Sequence, residues 1–158
     1  MADVQITTSE GGTSAFDSNA LGAFAMSLRG PLLQPGDDGH DEARLLWNGM
    51  MDKRPALIAR CTGTADVASA VNFARDHHLL LAVRGGGHNV AGNACCDGGL
   101  MLDLSLMKGV RVDPASSTVR VQGGATLGDV DRETQVFGLA VPAGVVSTTG
   151  IGGLTLGG

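Results

Sequence analysis

The sequence predicts a mixed α+β domain with two small sheet regions flanked by helices. From Pro55 onward, short apolar runs of strand length alternate with a segment of helical periodicity. The strand–helix–strand order of residues 56–83 favours parallel strands joined by a crossover, whereas residues 110–121 alternate in the way of a hairpin. In addition, 25 glycines in 158 residues form three clusters, so much of the backbone must turn sharply or approach something closely.

The chain divides by composition into an N-terminal region, residues 1–53, and a domain, residues 54–158. About the first 20 residues are rich in Ser, Thr, Gly and Ala, which indicates a loose arm. Short helices are expected over Leu21–Arg29 and Asp41–Trp47. Neither carries an obvious chemical group, although the tryptophan that ends the second is a candidate to pack against the domain.

Within the domain, turn residues separate six predicted strands, which are Ala56–Cys61, Leu79–Val83, Leu100–Leu104, Val110–Asp113, Thr118–Val121 and Leu139–Pro142. A helix follows the first strand, with Thr64 as its expected N-cap and Asp66 suited to the dipole of its first turn. A second helix is expected from Thr126, again a favourable N-cap, through Phe137, with Gly138 ending it.

Charge and composition exclude several classes of function. The net charge of −5 and the absence of a basic run argue against a nucleic-acid partner. No basic amphipathic segment indicates a membrane surface, and no apolar run has the length of a transmembrane helix. The polar start lacks a signal peptide, so a cytoplasmic location is the default expectation. Cys61, Cys95 and Cys96 are odd in number and are expected to be reduced thiols; His40 and the pair His77-His78 sit in polar context and are expected to be solvated.

The first glycine loop follows the strand that ends at Val83 and runs Arg84-Gly85-Gly86-Gly87-His88-Asn89. Three successive glycines let several backbone N–H groups point into one concavity, which suits an anion such as a diphosphate, and Arg84 adds a positive charge. The loop is neither a G-x-G-x-x-G fingerprint nor a P-loop, because no apolar helix follows it and no Lys-Ser or Lys-Thr pair closes it. A generic glycine turn remains the alternative.

His88 lies beside three glycines, so its own segment offers the imidazole few side-chain neighbours. The ring is therefore free to point at whatever the loop holds, although a surface or hydrogen-bonded histidine is the plainer interpretation. A metal site with Cys95 and Cys96 is the weakest alternative, because adjacent cysteines lack the spacer that tetrahedral ligation normally uses.

A second glycine-rich loop, residues 142–154, alternates glycine with small or β-branched residues. Such a backbone can lie flat against a ligand, with the Thr148 and Thr149 hydroxyls available as polar partners. Alone, the loop could also be a tight barrel corner. Two such loops, each following a predicted strand, make one shared ligand the better hypothesis.

The order and spacing of three motifs resemble the PCMH-type FAD-binding domain, and more closely the berberine-bridge-enzyme-like FAD-linked oxidases. The motifs are Val83 to Asn89, Leu102-Asp103-Leu104-Ser105, and Pro142 to Gly153. The resemblance extends from about Asp41 to Gly158. It implies that FAD contacts residues of both loops, namely Arg84, Gly85, Gly86, Gly87, His88, Asn89, Pro142, Gly144, Val145, Val146, Thr148, Thr149, Gly150, Gly152, Gly153 and Leu154.

The resemblance also implies a covalent bond from His88 to the flavin 8α-methyl carbon. Many members add a second bond through a cysteine in the second loop, but Val146 stands at that position here, so attachment through His88 alone is expected. The implied activity is oxidation of a small organic substrate with O₂ as electron acceptor. The family's substrate domain, where a catalytic base usually lies, is expected to be absent from a chain truncated at Gly158, so no base is assigned. A non-covalent flavin reductase of the same fold and a non-catalytic FAD-binding remnant remain alternatives.

Overall fold

The computed structural model describes residues 3–157, which form eight strands and five helices. In chain order these are β1 (Val4–Thr7), β2 (Thr13–Phe16), α1 (Ser18–Met26), β3 (Leu32–Leu33), α2 (His40–Ala43), β4 (Leu57–Arg60), α3 (Thr64–Asp76), β5 (Leu81–Arg84), β6 (Leu100–Asp103), β7 (Val110–Asp113), β8 (Thr118–Val121), α4 (Leu127–Gln135) and α5 (Ile151–Gly157). The mixed α+β class predicted from the sequence is therefore confirmed. None of the helices in this part of the chain is long and apolar enough to cross a membrane.

The central sheet has the strand order β3-β4-β6-β5. Strands β4 and β5 both pair with β6 in parallel, and α3 connects them, which confirms the predicted crossover. Strand β3 adds an antiparallel edge. Strand β5 begins two residues later than predicted and ends on Arg84, so the first glycine loop leaves directly from the carboxyl end of this sheet.

The main core lies between this sheet, α3, α1 and the first two strands. The buried apolar residues of the cluster are Ile6, Phe16, Leu21, Phe24, Leu57, Ala59, Cys61, Ala70, Ala74, Leu79, Leu100, Leu102 and Met107. Helix α3 begins after Gly63 as N-cap, not after Thr64 as predicted, and Gly63 has no side chain with which to cap. The loop backbone is held by Asp66 instead, because its buried carboxylate accepts hydrogen bonds from the backbone N–H groups of Arg29, Gly30 and Thr62.

The N-terminal segment is a packed hairpin, so the prediction of a loose arm was wrong. Strands β1 and β2 pair antiparallel, and the side chains of Ile6 and Phe16 are 0% and 6% exposed in the main core. The Leu80 N–H donates to the carbonyl oxygen of Thr7 at 2.9 Å, which ties the hairpin to the segment before β5. Composition misled here, because two four-residue strands separated by Gly11-Gly12 carry too few apolar residues to register as a pattern.

Two other expectations in the N-terminal region need correction. The second short helix covers only His40–Ala43 and does not extend to Trp47. His40 is buried at 4% exposure, with Nε2 3.3 Å from the Pro55 carbonyl oxygen, and is not solvated. His77 and His78 are exposed as expected. The division of the chain at residue 53 stays a prediction.

The C-terminal part of the domain is built on α4 and the β7–β8 hairpin. Thr126 caps α4 in a capping box with Asp129, and Gly138 follows with a positive φ of 68°, so both predicted ends are close to the observed ones. The hairpin has the predicted strands. Residues 139–142, by contrast, form no strand, because no described strand lies beside them to accept their backbone hydrogen bonds.

The three cysteines are free and buried, which confirms the expectation of reduced thiols. Burial raises the pKa of the Cys61 thiol to about 12, and the nearby Asp66 and Asp103 carboxylates act in the same direction. Burial also raises the pKa of Cys96 to about 11. Since the thiolate is the reactive form, all three cysteines are protected in the folded protein.

We expect Ile6→Ala to lower the free energy of unfolding by about 2–5 kcal/mol, because it removes a fully buried side chain from the core. Urea denaturation monitored by circular dichroism measures the change. The control is Gln5→Ala on the exposed side of the same strand, which should change stability by less than about 0.5 kcal/mol. Equal stability of the two variants would show that the hairpin is not part of the core.

We expect the native protein to react with a thiol reagent such as DTNB at pH 8 far more slowly than the urea-unfolded protein. Unfolding should expose three equivalents of thiol at once, one for each buried cysteine. Rapid modification of any cysteine in the native state, at unchanged circular dichroism, would contradict the described burial.

Candidate functional site

The two glycine loops contact each other backbone to backbone. A Cβ atom built on Gly86 would lie 2.3 Å from the Gly150 backbone nitrogen, and one built on Gly150 would lie 2.2 Å from the Gly86 nitrogen. Gly152 has the same restriction toward the Gly123 carbonyl oxygen, at 2.8 Å. Since real Cβ atoms do not approach this closely, glycine is required where the segments meet. Sequence reasoning assigned these glycines to close approach of a ligand, whereas the contact found here is between the loops themselves.

A concavity of about 190 Å³ opens where the loops meet. The residues lining it are Val83, Gly85, Gly86, Gly87, His88, Asn89, Asn93, Ala94, Gly150 and Gly153. Sites that enclose a whole small molecule usually measure about 300–1,000 Å³. This concavity therefore suits one part of a larger ligand, with the remainder lying on neighbouring surfaces.

The first glycine loop presents unused hydrogen-bond donors. The backbone N–H groups of Gly85 through Asn89 donate to no acceptor among residues 3–157. Gly87 is buried, Gly85, Gly86 and His88 are half-buried, and Asn89 is exposed. Since buried backbone donors normally find partners, the free N–H group of Gly87 in this run is unusual. Such a run beside a concavity is the arrangement that binds an anion.

The loop leaves the sheet beside a buried cluster of charges. Strand register places Asp103 between Arg60 and Arg84, and the carboxylate is fully buried. Its Oδ2 accepts from Arg60 Nε at 3.1 Å, and its Oδ1 lies 3.7 Å from Arg84 Nη1. Two guanidinium groups around one carboxylate leave a net positive charge at the carboxyl end of the sheet.

The guanidinium of Arg84 is directed beneath its own loop. Nη1 donates to the Ala43 carbonyl oxygen at 2.8 Å, and the buried Nε has no hydrogen-bond partner in the described part of the chain. Arg84 does not line the concavity. Its predicted contact with a diphosphate stays a prediction, and the contacts seen here anchor the start of the loop.

The His88 imidazole reaches across to the second loop. Its Nε2 lies 3.0 Å from Thr148 Oγ1, a hydrogen bond that spans 60 residues of sequence. On its face the ring stacks with the Trp47 indole, with ring centroids 4.6 Å apart and planes inclined by 14°. The imidazole therefore stands at the edge of the concavity, between a residue that precedes the domain and one that follows most of it.

The second loop is anchored to α4 and presents an apolar surface. The Leu127 and Gly128 N–H groups donate to the carbonyl oxygens of Thr149 and Ser147. A second concavity, of about 560 Å³, is lined by Val141, Pro142, Ala143, Gly144, Ile151, Leu154 and Thr155. Val145 is almost fully exposed and Val146 is half exposed.

The structure thus divides the predicted site residues into groups. Gly85 to Asn89 with Gly150 and Gly153 line the first concavity, and Pro142, Gly144 and Leu154 line the second. Thr148 joins the first group through His88. The other predicted residues, Arg84, Val145, Val146, Thr149 and Gly152, line neither.

The weak metal alternative finds no support, because among residues 3–157 no three His, Cys, Asp or Glu side chains are grouped to hold an ion.

Sequence reasoning missed Asn93 and the stacking role of Trp47. Nothing in the local sequence pairs residue 47 with residue 88. The one signal in the sequence that Trp47 packs against the domain was its position, just before the regular strand pattern that begins at Pro55.

Comparisons with known proteins match this chain to an FAD-binding family and to curated relatives. Residues 55–158 match the family described as "FAD binding domain". The chain is 43% identical over 136 residues to (R)-6-hydroxynicotine oxidase of Paenarthrobacter nicotinovorans, a match that covers 86% of this chain and 30% of that protein. The chain therefore spans about a third of the length of such curated relatives.

Solved structures of related proteins also superpose on this chain. Physcomitrella patens BBE-like 1 superposes with a TM-score of 0.76 at 28% identity, covering 84% of this chain and 29% of that one. Phl p 4, a grass pollen allergen with glucose dehydrogenase activity, superposes with a TM-score of 0.78 at 28% identity, covering 87% and 31%. The chain therefore belongs to the FAD-binding domain family and corresponds to the PCMH-type, N-terminal portion of the berberine-bridge-enzyme-like FAD-linked oxidoreductases.

Proposed function

We propose that this chain binds FAD between its two glycine loops and holds it covalently through His88. The observation that carries the proposal is the position of the imidazole. It stands at the edge of a concavity lined by free backbone N–H groups and is hydrogen bonded to the opposite loop. The match of residues 55–158 to the FAD binding domain family supports FAD as the ligand.

The first concavity fits the diphosphate of FAD. Gly85 to Asn89 offer consecutive N–H donors, and the absence of side chains at the three glycines lets oxygen atoms approach the backbone closely. The Arg60–Asp103–Arg84 cluster adds a net positive charge behind the loop. In this arrangement the backbone binds the phosphates, and His88 faces the flavin ring.

With FAD bound, one imidazole nitrogen of His88 would form a C–N bond to the flavin 8α-methyl carbon, losing its N–H proton while the methyl group loses one C–H proton. The two electrons released would pass through the flavin, with the two protons, to an external acceptor, for which we propose O₂. The residues of this chain supply the nucleophile and its orientation.

When bound, FAD would act as the acceptor of a hydride from the substrate. We propose that the whole protein is an oxidase for a small organic substrate, as the named relatives act on a hydroxynicotine and on glucose. With Val146 at the position of the second attachment, His88 is the one proposed link. We propose that six residues of the second loop lie along the flavin ring and ribityl chain, namely Pro142, Gly144, Val145, Thr149, Gly152 and Leu154. We assign no catalytic base.

We expect protein from the complete gene to retain its yellow colour in the pellet after acid precipitation. The His88→Ala variant should release all of its flavin into the supernatant, because the side chain that forms the bond is gone. Absorbance at 450 nm of pellet and supernatant measures the partition. Flavin retained in the pellet by His88→Ala would disprove the tether.

The control is His78→Asn, since His78 is exposed, precedes β5 at the strand end opposite the first glycine loop, and has a positive φ of 53° that asparagine tolerates. It should retain the wild-type amount of acid-stable flavin. Release of all flavin by the wild-type protein would support a non-covalent flavoprotein of the same fold, and absence of bound flavin altogether would disprove the proposed cofactor.

We expect Gly86→Ala to weaken flavin binding about tenfold or more, because a Cβ at this position would lie 2.3 Å from the Gly150 nitrogen and would force the two loops apart. The dissociation constant is measured by flavin fluorescence quenching in a His88→Ala background, where no covalent link interferes. Gly22→Ala in α1, where a Cβ meets nothing within 4 Å, is the matched control and should bind normally. Equal affinity of the two variants would contradict a site between the loops.

A further inference from the structure

We propose that Trp47 is a positioning residue for covalent attachment of the flavin. Its indole holds the His88 imidazole in the orientation from which the C–N bond forms. The inference rests on the proposed tether, and it adds a residue that lies outside both glycine loops and outside the segment that matches the FAD-binding family. Three features of the molecule support it, namely the ring stack, the backbone contacts of Trp47, and the exposure of its side chain.

The stack fixes the plane of the imidazole. Ring centroids 4.6 Å apart and an inclination of 14° correspond to a parallel arrangement of two flat groups. The hydrogen bond from Nε2 to Thr148 Oγ1 then fixes the rotation of the ring within that plane. Together the two contacts restrict both side-chain torsions of His88.

His88 needs outside support because its own segment provides none. The three preceding residues are glycines, and the following Asn89 and Val90 are exposed. An imidazole without lateral packing samples several rotamers, and holding a nucleophile in one productive orientation raises its reaction rate. Trp47 is the aromatic side chain that stacks on His88 in the described structure.

The Trp47 backbone is itself fixed to the glycine loop. Its N–H donates to the Gly87 carbonyl oxygen at 3.2 Å, and the neighbouring Asn48 Nδ2 donates to the Val90 carbonyl oxygen at 2.9 Å. These two bonds hold residues 47 and 48 along residues 87–90. The indole is therefore placed relative to His88 by the backbone, before any ring contact forms.

The exposure of Trp47 argues against a role in the core. Its side chain is 66% exposed, unlike the residues that form the two apolar clusters. A tryptophan that buries so little of its surface contributes little to folding stability through burial. Its replacement should therefore change the attachment reaction while the fold remains intact.

The test measures the rate of covalent attachment. Apoprotein from the complete gene, prepared without flavin, is mixed with FAD, and acid-stable flavin in the precipitate is followed over time. We expect Trp47→Leu to form the link about 3- to 10-fold more slowly, the factor that corresponds to losing one aromatic pair. Trp47→Phe keeps a flat ring and should restore a rate close to that of the wild type.

Two control measurements separate positioning from binding and folding. In a His88→Ala background, Trp47→Leu should leave the dissociation constant of FAD and the melting temperature unchanged. Trp47 is the one tryptophan among residues 1–158, and subtracting the emission of the matched Trp47→Phe protein isolates its fluorescence, which reports on the stack. Acrylamide should quench it more strongly in His88→Ala than in wild type, because removal of the imidazole uncovers one face of the indole.

The outcomes distinguish this inference from the proposed tether. Wild-type protein that forms no acid-stable flavin overturns the tether, and the positioning role with it. A wild-type protein that forms the link at the same rate as Trp47→Leu leaves the tether standing and overturns the role of Trp47. A loss of FAD affinity in the double variant would also overturn it, because Trp47 would then act in binding.

Discussion

The architecture of the candidate site depends on one steric constraint, the backbone contact between Gly86 and Gly150. At this point two segments 64 residues apart approach so closely that neither can carry a Cβ atom. Each loop is fixed at its base, one by β5 and the other by hydrogen bonds to α4, so the contact locks two supported backbones together. The reach of His88 to Thr148 and the concavity between the loops both follow from that approach.

A buried carboxylate sets where the first loop begins. Asp103 lies at the carboxyl end of β6, where strand register brings Arg60 and Arg84 to either side of it. A buried carboxylate is costly unless it is paired and hydrogen bonded, and Asp103 also accepts from the backbone and side chain of Ser105. The cluster holds Arg84 away from the concavity, which is lined by the glycines together with residues such as His88 and Asn93. The positive charge of the Arg60–Asp103–Arg84 cluster therefore lies behind the loop, and the free backbone N–H groups of Gly85 to Asn89 lie beside the concavity.

The sequence predicted those features that depend on local patterns. The strands Leu57–Arg60 and Leu100–Asp103 each begin with three consecutive apolar residues, and α4 has a capping box at Thr126, so local patterns and caps were sufficient for them. The β1–β2 hairpin has a weaker signal, because each of its four-residue strands has two apolar residues and buries one of them, Ile6 or Phe16, in the core. Both glycine loops were identified, but the need for glycine was assigned to a ligand. A backbone contact between segments that are far apart in the sequence produces no periodic pattern of residue types in either segment.

The sequence predicted that Trp47 packs against the domain, and the same limitation explains why its contact with His88 was not predicted. It also bears on where this domain begins. A loop of consecutive glycines leaves its backbone N–H groups accessible, but it has no side chains with which to hold His88 in one orientation. Support for that residue must then come from elsewhere in the chain. Here it comes from Thr148, after the loop, and from Trp47, which precedes the segment matching the family. Since the core also includes Ile6 and Phe16, the N-terminal residues are part of both the fold and the site. A protein beginning at residue 54 would lack the stacking partner of His88 as well as the hairpin.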